Sequence, residues 1–131
     1  MVQNLNESLG FVRVREPSQP EFAAIEYRAT PAMCHSGSIV QGGFVTGWID
    51  AAMAHAVMAA TLYRQSPLSL EIKISFLKSA APGLVVAEGW VEKMGRSTAF
   101  LEGRLLDADG EVLAKGSSTV KLVPAERMAN G

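Results

Sequence analysis

Gln41-Gly-Gly-Phe-Val-Thr-Gly-Trp-Ile-Asp50-Ala-Ala-Met-Ala-His55-Ala-Val-Met-Ala-Ala60-Thr-Leu-Tyr-Arg64 is the stretch that decides the fold. Alanine dominates it, which favours helix and lets other backbone approach closely, so the reading is one helix over residues 42–64. Residues 44–62 have the length of a membrane span. They hold Asp50 and His55 near the middle, however, and each ionisable group at a bilayer centre would cost a few kcal/mol. The segment therefore reads as a helix buried in a soluble core, apolar nearly all round, with Asp50 as its one carboxylate.

Outward from the helix the period changes. After Pro67, Leu70, Ile72, Ile74 and Phe76 alternate with Glu71, Lys73 and Ser75, the pattern of a half-buried strand. Ala81-Pro82-Gly83 turns the chain into a strand over 84–94. Gly95-Arg96 leads into 97–107, and Asp107-Ala108-Asp109-Gly110 makes a hairpin into 112–123. Pro124 stops that strand, and 125–131 reads as a disordered polar tail. On the N-terminal side, strands are expected at 11–15 and 21–29, broken by the proline-containing 16–20. A glycine-rich loop then covers 31–43.

Short connections imply an antiparallel meander, and a sheet with one apolar face must cover it. The economical solution is an α+β domain over residues 1–124, a curved antiparallel sheet wrapped around the one helix. One sheet leaves part of that helix and its own edges uncovered, so at least a dimer is expected.

Composition narrows the function. The net charge is −1 and no basic cluster stands out, so nothing asks for nucleic acid. The single cysteine, Cys34, excludes an intramolecular disulfide, and the first residues lack the basic start and apolar run of a leader. Both point to a cytoplasmic protein. Two histidines and one cysteine make no zinc-ligand spacing, so no metal site is expected.

Three features carry chemistry. A carboxylate inside an apolar helix, with no basic neighbour on its face, shifts its pKa or works in a cleft as base or nucleophile. Gln41-Gly42-Gly43 sits where a helix presents free N–H groups and a positive dipole end, suited to polarising a carbonyl. Asp50 follows Gly42 by eight residues, about 12 Å along a helix, so one chain cannot easily bring both to one carbon. Two antiparallel helices can. His55 lies about 140° round the helix from Asp50 and reads as core or interface. Lys78, Lys93 and Arg96, near strand ends, are candidate phosphate-binding cations.

His35-Ser-Gly-Ser-Ile-Val-Gln41-Gly42-Gly43-Phe-Val-Thr-Gly-Trp-Ile-Asp50, followed by Leu68-Ser69-Leu-Glu-Ile-Lys-Ile-Ser-Phe-Leu-Lys78-Ser-Ala-Ala-Pro-Gly83, Gly95-Arg96-Ser97 and Asp107-Ala-Asp-Gly110, resembles the hotdog-fold acyl-CoA thioesterases of the phenylacetate-pathway (PaaI-like) group. The resemblance covers about 31–123. It implies dimers that often pair into tetramers, and hydrolysis of acyl-CoA with no cofactor beyond the coenzyme A of the substrate. It implies Asp50 as base or nucleophile and the Gly42 N–H as carbonyl polariser across the dimer. By the same resemblance His35 and Gln41 hold thioester or water, and Ser69 orients the water. Gly43, Lys78 and Arg96 are taken as substrate-binding. Two positions depart from the group: Gln41 stands where it usually has His, and His35 where it usually has Asn or Gln. Ideal alternation would turn Ser69 away from the helix. Two rival activities are a hotdog protein that binds acyl-CoA without turnover and a hotdog enoyl-CoA hydratase, some of which use an Asp and a His spaced as Asp50 and His55 are.

Overall fold

In the computed structural model, which describes residues 4–15 and 19–130, the chain runs α1 (Leu5–Leu9), β1 (Phe11–Val14), β2 (Phe22–Ala29), a single 3-10 turn (Pro31–Met33), β3 (Cys34–Ser36), β4 (Ile39–Val40), α2 (Gly42–Ala60), β5 (Gln65–Phe76), β6 (Gly83–Met94), β7 (Thr98–Asp107), β8 (Val112–Pro124) and α3 (Ala125–Asn130). One six-stranded antiparallel sheet, in the order β1-β2-β6-β7-β8-β5, packs around α2, the hotdog architecture. Residues 1–3, residues 16–18 of the proline-containing break and Gly131 lie outside the described residues.

Three expectations are corrected. The helix stops at Ala60, not at Arg64. Leu62 and Tyr63 both adopt positive φ, at 54° and 62°, and the Leu62 and Tyr63 N–H groups bond back to the Ala59 and Met58 carbonyls. That is a Schellman closure, normally signalled by a glycine that this sequence lacks. Residues 125–130, expected to be disordered, form the short helix α3, tied down by the Ala125 N–H on the Arg64 carbonyl at 2.9 Å. The last four strands are not a simple meander either, because β5 pairs with β8 and not with β6. Crossing from one edge of that group to the other means spanning three strand spacings, about 14 Å. Residues 77–82 can do so, since six extended residues reach about 20 Å.

The depth at which α2 lies is set by glycine. Gly89, Gly103 and Gly116 stand directly opposite one another on β6, β7 and β8. A Cβ on Gly89 would meet the Met53 nitrogen at 2.5 Å, and one on Gly103 would meet Ile49 Cγ2 at 2.9 Å. The row forms a trough into which Trp48, Ile49, Ala52 and Met53 sink until they are buried. Each large apolar side chain so buried contributes roughly 1.5–3 kcal/mol. The opposite stripe of α2, including Gly47, Asp50, Ala51, Ala54, His55 and Met58, stays half-buried. None of the described helices is long and apolar enough to cross a membrane.

Candidate active site

Asp50 sits on that stripe, beside Ile49 in the trough. The Ser69 Oγ–H donates to Asp50 Oδ1 at 3.4 Å. Alternation alone would have forbidden this contact, but β5 carries a bulge against β8 between Ser69 and Glu71. Ser69 pairs with buried Val120 and Ile72 with buried Ser118, so both face the helix, and Leu70 is the extra residue, 63% exposed. Burial pushes the Asp50 carboxyl above the usual carboxylate range, and the Ser69 hydrogen bond partly opposes that rise. Desolvation without a cation partner is what makes a carboxylate a better base near neutral pH.

The helix start is built separately. The Gln41 N–H bonds the Met33 carbonyl at 2.9 Å, which pins the N-cap, and Gln41 Oε1 accepts the Gly43 N–H at 2.9 Å. The Gly43 N–H is therefore already bonded within the chain, and the Gln41 side chain is engaged as a cap. The Gly42 N–H has no acceptor among the described residues. The edge-to-edge connection at 77–82 passes beneath this start. It brings Phe76 and Lys78 together with His35, Val40, Gly42 and Val45 around a cleft of about 360 Å³. His35 Nδ1 lies 2.9 Å from Ser36 Oγ, and Lys78 is ion-paired to Glu111.

Asp50 does not line that cleft. It lines a second one of about 540 Å³, with Leu9, Phe11, Tyr27, His55 and Met58 among its walls. His55, expected on a different face, shares this groove with Asp50, its ring meeting Tyr63 edge-on at 6.2 Å. Arg96 and Lys93 lie near strand ends, as expected. They sit at the β6–β7 turn, the end of the sheet opposite the β6 start and the 77–82 connection, so within one chain Arg96 cannot join Lys78.

Sequence reasoning missed the N-terminal wall of the Asp50 groove and the Phe76 ring over Gly42. The first was signalled: Asn4 and Glu7 make a reciprocal helix cap, Asn4 Oδ1 accepting the Glu7 N–H and Asn4 Nδ2–H donating to Glu7 Oε1, both at 2.9 Å. The second needed the sheet order, because Phe76 reaches Gly42 only when β5 is an edge.

Residues 37–114 match the thioesterase superfamily. Among curated proteins none matches this chain. Three solved structures are similar. A phenylacetic acid degradation-related protein of Ralstonia eutropha is 28% identical over 92% of this chain and 91% of its own, with a TM-score of 0.81. The Escherichia coli PaaI protein from the phenylacetic acid degradation operon is 18% identical over 90% and 83%, with a TM-score of 0.81. A Streptococcus mutans protein bound to acetyl CoA is 15% identical over 87% and 89%, with a TM-score of 0.78.

Proposed function

This chain belongs to the thioesterase superfamily, as a hotdog protein of the PaaI-like type, and we propose that it hydrolyses an acyl-CoA thioester to the free acid and CoA at a site shared by two subunits. The observation that carries the proposal is Asp50, a desolvated carboxylate whose one side-chain partner among the described residues is a hydroxyl. The Gly42 N–H of the partner subunit polarises the thioester carbonyl, and His35 and Gln41 border that approach. Asp50 takes a proton from water as the water attacks the carbonyl carbon, or attacks that carbon itself, expelling the CoA thiolate and leaving an acyl-Asp50 anhydride that water then hydrolyses. In the water route the tetrahedral oxyanion rests on the Gly42 N–H, the CoA thiolate leaves, and the proton on Asp50 is released to solvent.

Two facts support a shared site. Asp50 and Gly42 line separate clefts, and about 12 Å of helix lies between them. The edge strand β5 offers a free ladder on the Asp50 side, with Leu70 and Phe76 exposed beside it. An antiparallel pair would carry Arg96 of one subunit to the end that holds Lys78 of the other, where both can reach the CoA phosphates. The unit is thus a homodimer, able to pair into a tetramer, in the cytoplasm and with no cofactor beyond the CoA of the substrate. Release of free thiol from a panel of acyl-CoAs tests this. Asp50→Ala is expected to abolish release while leaving the oligomeric mass unchanged. Stoichiometric acyl-CoA binding without thiol release from the wild-type protein would overturn hydrolysis in favour of a carrier. Because Asp50 and His55 share one groove, a second reading is hydration of an enoyl-CoA. Crotonyl-CoA separates the two, by free CoA in one case and loss of the conjugated double bond in the other.

A further inference from the structure

The groove beside Asp50 has a composition unlike that of the cleft at the helix start. Apart from Asp50, Asn6 and His55 its walls are apolar or glycine, save the Tyr27 hydroxyl, with Leu5, Leu9 and Phe11 on one side and Ala51, Ala54 and Met58 of α2 on the other. Tyr27, fully buried, lies beneath Phe11, the rings edge-to-face at 6.2 Å. The N-terminal wall is held in place. Trp48 Nε1–H donates to the Leu9 carbonyl at 2.7 Å, and Leu9 Cδ2 lies 3.3 Å from where a side chain on Gly47 would begin. Gly10 turns at φ +75°, and a side chain there would begin 2.3 Å from the Arg28 carbonyl oxygen, so no other residue fills the position without strain. The wall is therefore a fixed surface, seated on the helix three residues before the carboxylate.

We propose that this groove receives the acyl group of the substrate, that the group is a bulky apolar one, and that the N-terminal segment 5–11 is the wall that selects it. The inference rests on the thioesterase reading for the nature of the ligand. If Asp50 addresses the thioester carbon, the two substituents of that carbon must leave it in different directions. The polar one, CoA, fits the cleft holding His35 and Lys78, and the apolar one fits the groove that Asp50 itself lines. At about 540 Å³ the groove is within the range of small-molecule sites, and an acetyl group would leave most of its apolar wall facing water. Each methylene that fills it is worth a factor of about four in binding or in kcat/KM.

The test compares octanoyl-CoA with acetyl-CoA, by thiol release and by calorimetric binding, in the wild type, in Ala54→Leu, which fills the groove, and in Leu5→Ala, which strips its wall at a residue 71% exposed and so costs the fold little. The wild type is expected to favour octanoyl-CoA by at least tenfold. Ala54→Leu should lower that ratio at least tenfold, and Leu5→Ala severalfold. A preference seen in binding and lost in the variants, with no thiol released by any of the proteins, would support the groove while overturning hydrolysis. A wild type indifferent to chain length, or a ratio that neither variant moves, would overturn the groove assignment even if thiol is released. So would a change of oligomeric mass in Ala54→Leu with the ratio unmoved, since the groove would then be covered by a second copy of the chain.

Discussion

A mixed dimer puts the shared site to its hardest test. Asp50→Asn keeps the size of the side chain and an oxygen for the Ser69 hydroxyl, but cannot act as base or nucleophile, and should lower kcat roughly 10²–10⁴-fold. Gly42→Pro removes the proposed carbonyl donor and should lower kcat roughly 10²–10³-fold. The local backbone accepts that proline. Gln41 sits at φ −64° and ψ 137°, the extended conformation a residue before proline requires, and the first helical position suits proline's fixed φ. The Gly42 N–H has no acceptor among the described residues to lose, and the Phe76 ring 3.1 Å from the new Cβ is 56% exposed and free to swing aside. Each homodimer is then folded and nearly inactive. The heterodimer, co-expressed with two affinity tags and purified through both, has one site with both groups intact and one with neither. Its activity should be about half that of the wild type, because the interface is isologous and each site draws one group from each chain. Thiol release per dimer, with circular dichroism to confirm the folds, reads the result. A pure heterodimer no more active than its parents refutes the shared site, and wild-type kcat in Gly42→Pro refutes the donor.

Three other perturbations follow from the same geometry. Ser69→Ala deletes the hydrogen bond that holds the Asp50 pKa down, so the acidic limb of the pH–rate profile should move to higher pH, with the largest loss of kcat on the acid side. Because burial raises the folded-state pKa of Asp50, the native state holds its proton longer than the unfolded chain does. That contribution to stability is present below the ordinary carboxylate pKa and is lost as pH rises through the folded value. Asp50→Asn should therefore melt above the wild type at about pH 8, and the difference should vanish at about pH 3; an equal difference at both would mean that the carboxylate is not desolvated. Gly89→Ala drives a methyl group into the backbone of Ala52 and Met53 and should destabilise by about 3 kcal/mol, lowering Tm by about 10 °C, whereas Gly110→Ala, whose Cβ meets nothing within 4 Å, carries only the strain of its φ of +85°.

Residue order by itself determined the elements and the reactive group. The alanine-rich run could only be a buried helix, and the alternation in β5 and the turn residues at 107–110 could only be antiparallel strands, since these follow from local propensity and period. Asp50 was conspicuous because a charge in such a helix has to be explained, and the helical rise alone separated it from Gly42. What the sequence could not reveal depends on contacts between residues far apart in the chain. Ser69 faces Asp50 only because β5 bulges against β8, and a bulge is a property of the pairing, not of either strand. The Gly43 N–H is bonded within the chain because Gln41 folds back to cap it. Phe76 comes over Gly42 because β5 lies at the edge of the sheet, and Gly89, Gly103 and Gly116 become a trough only when the register aligns them. The carboxylate is legible in one dimension because its cost is local, while its partners, its groove and its depth are set by the sheet that packs against it.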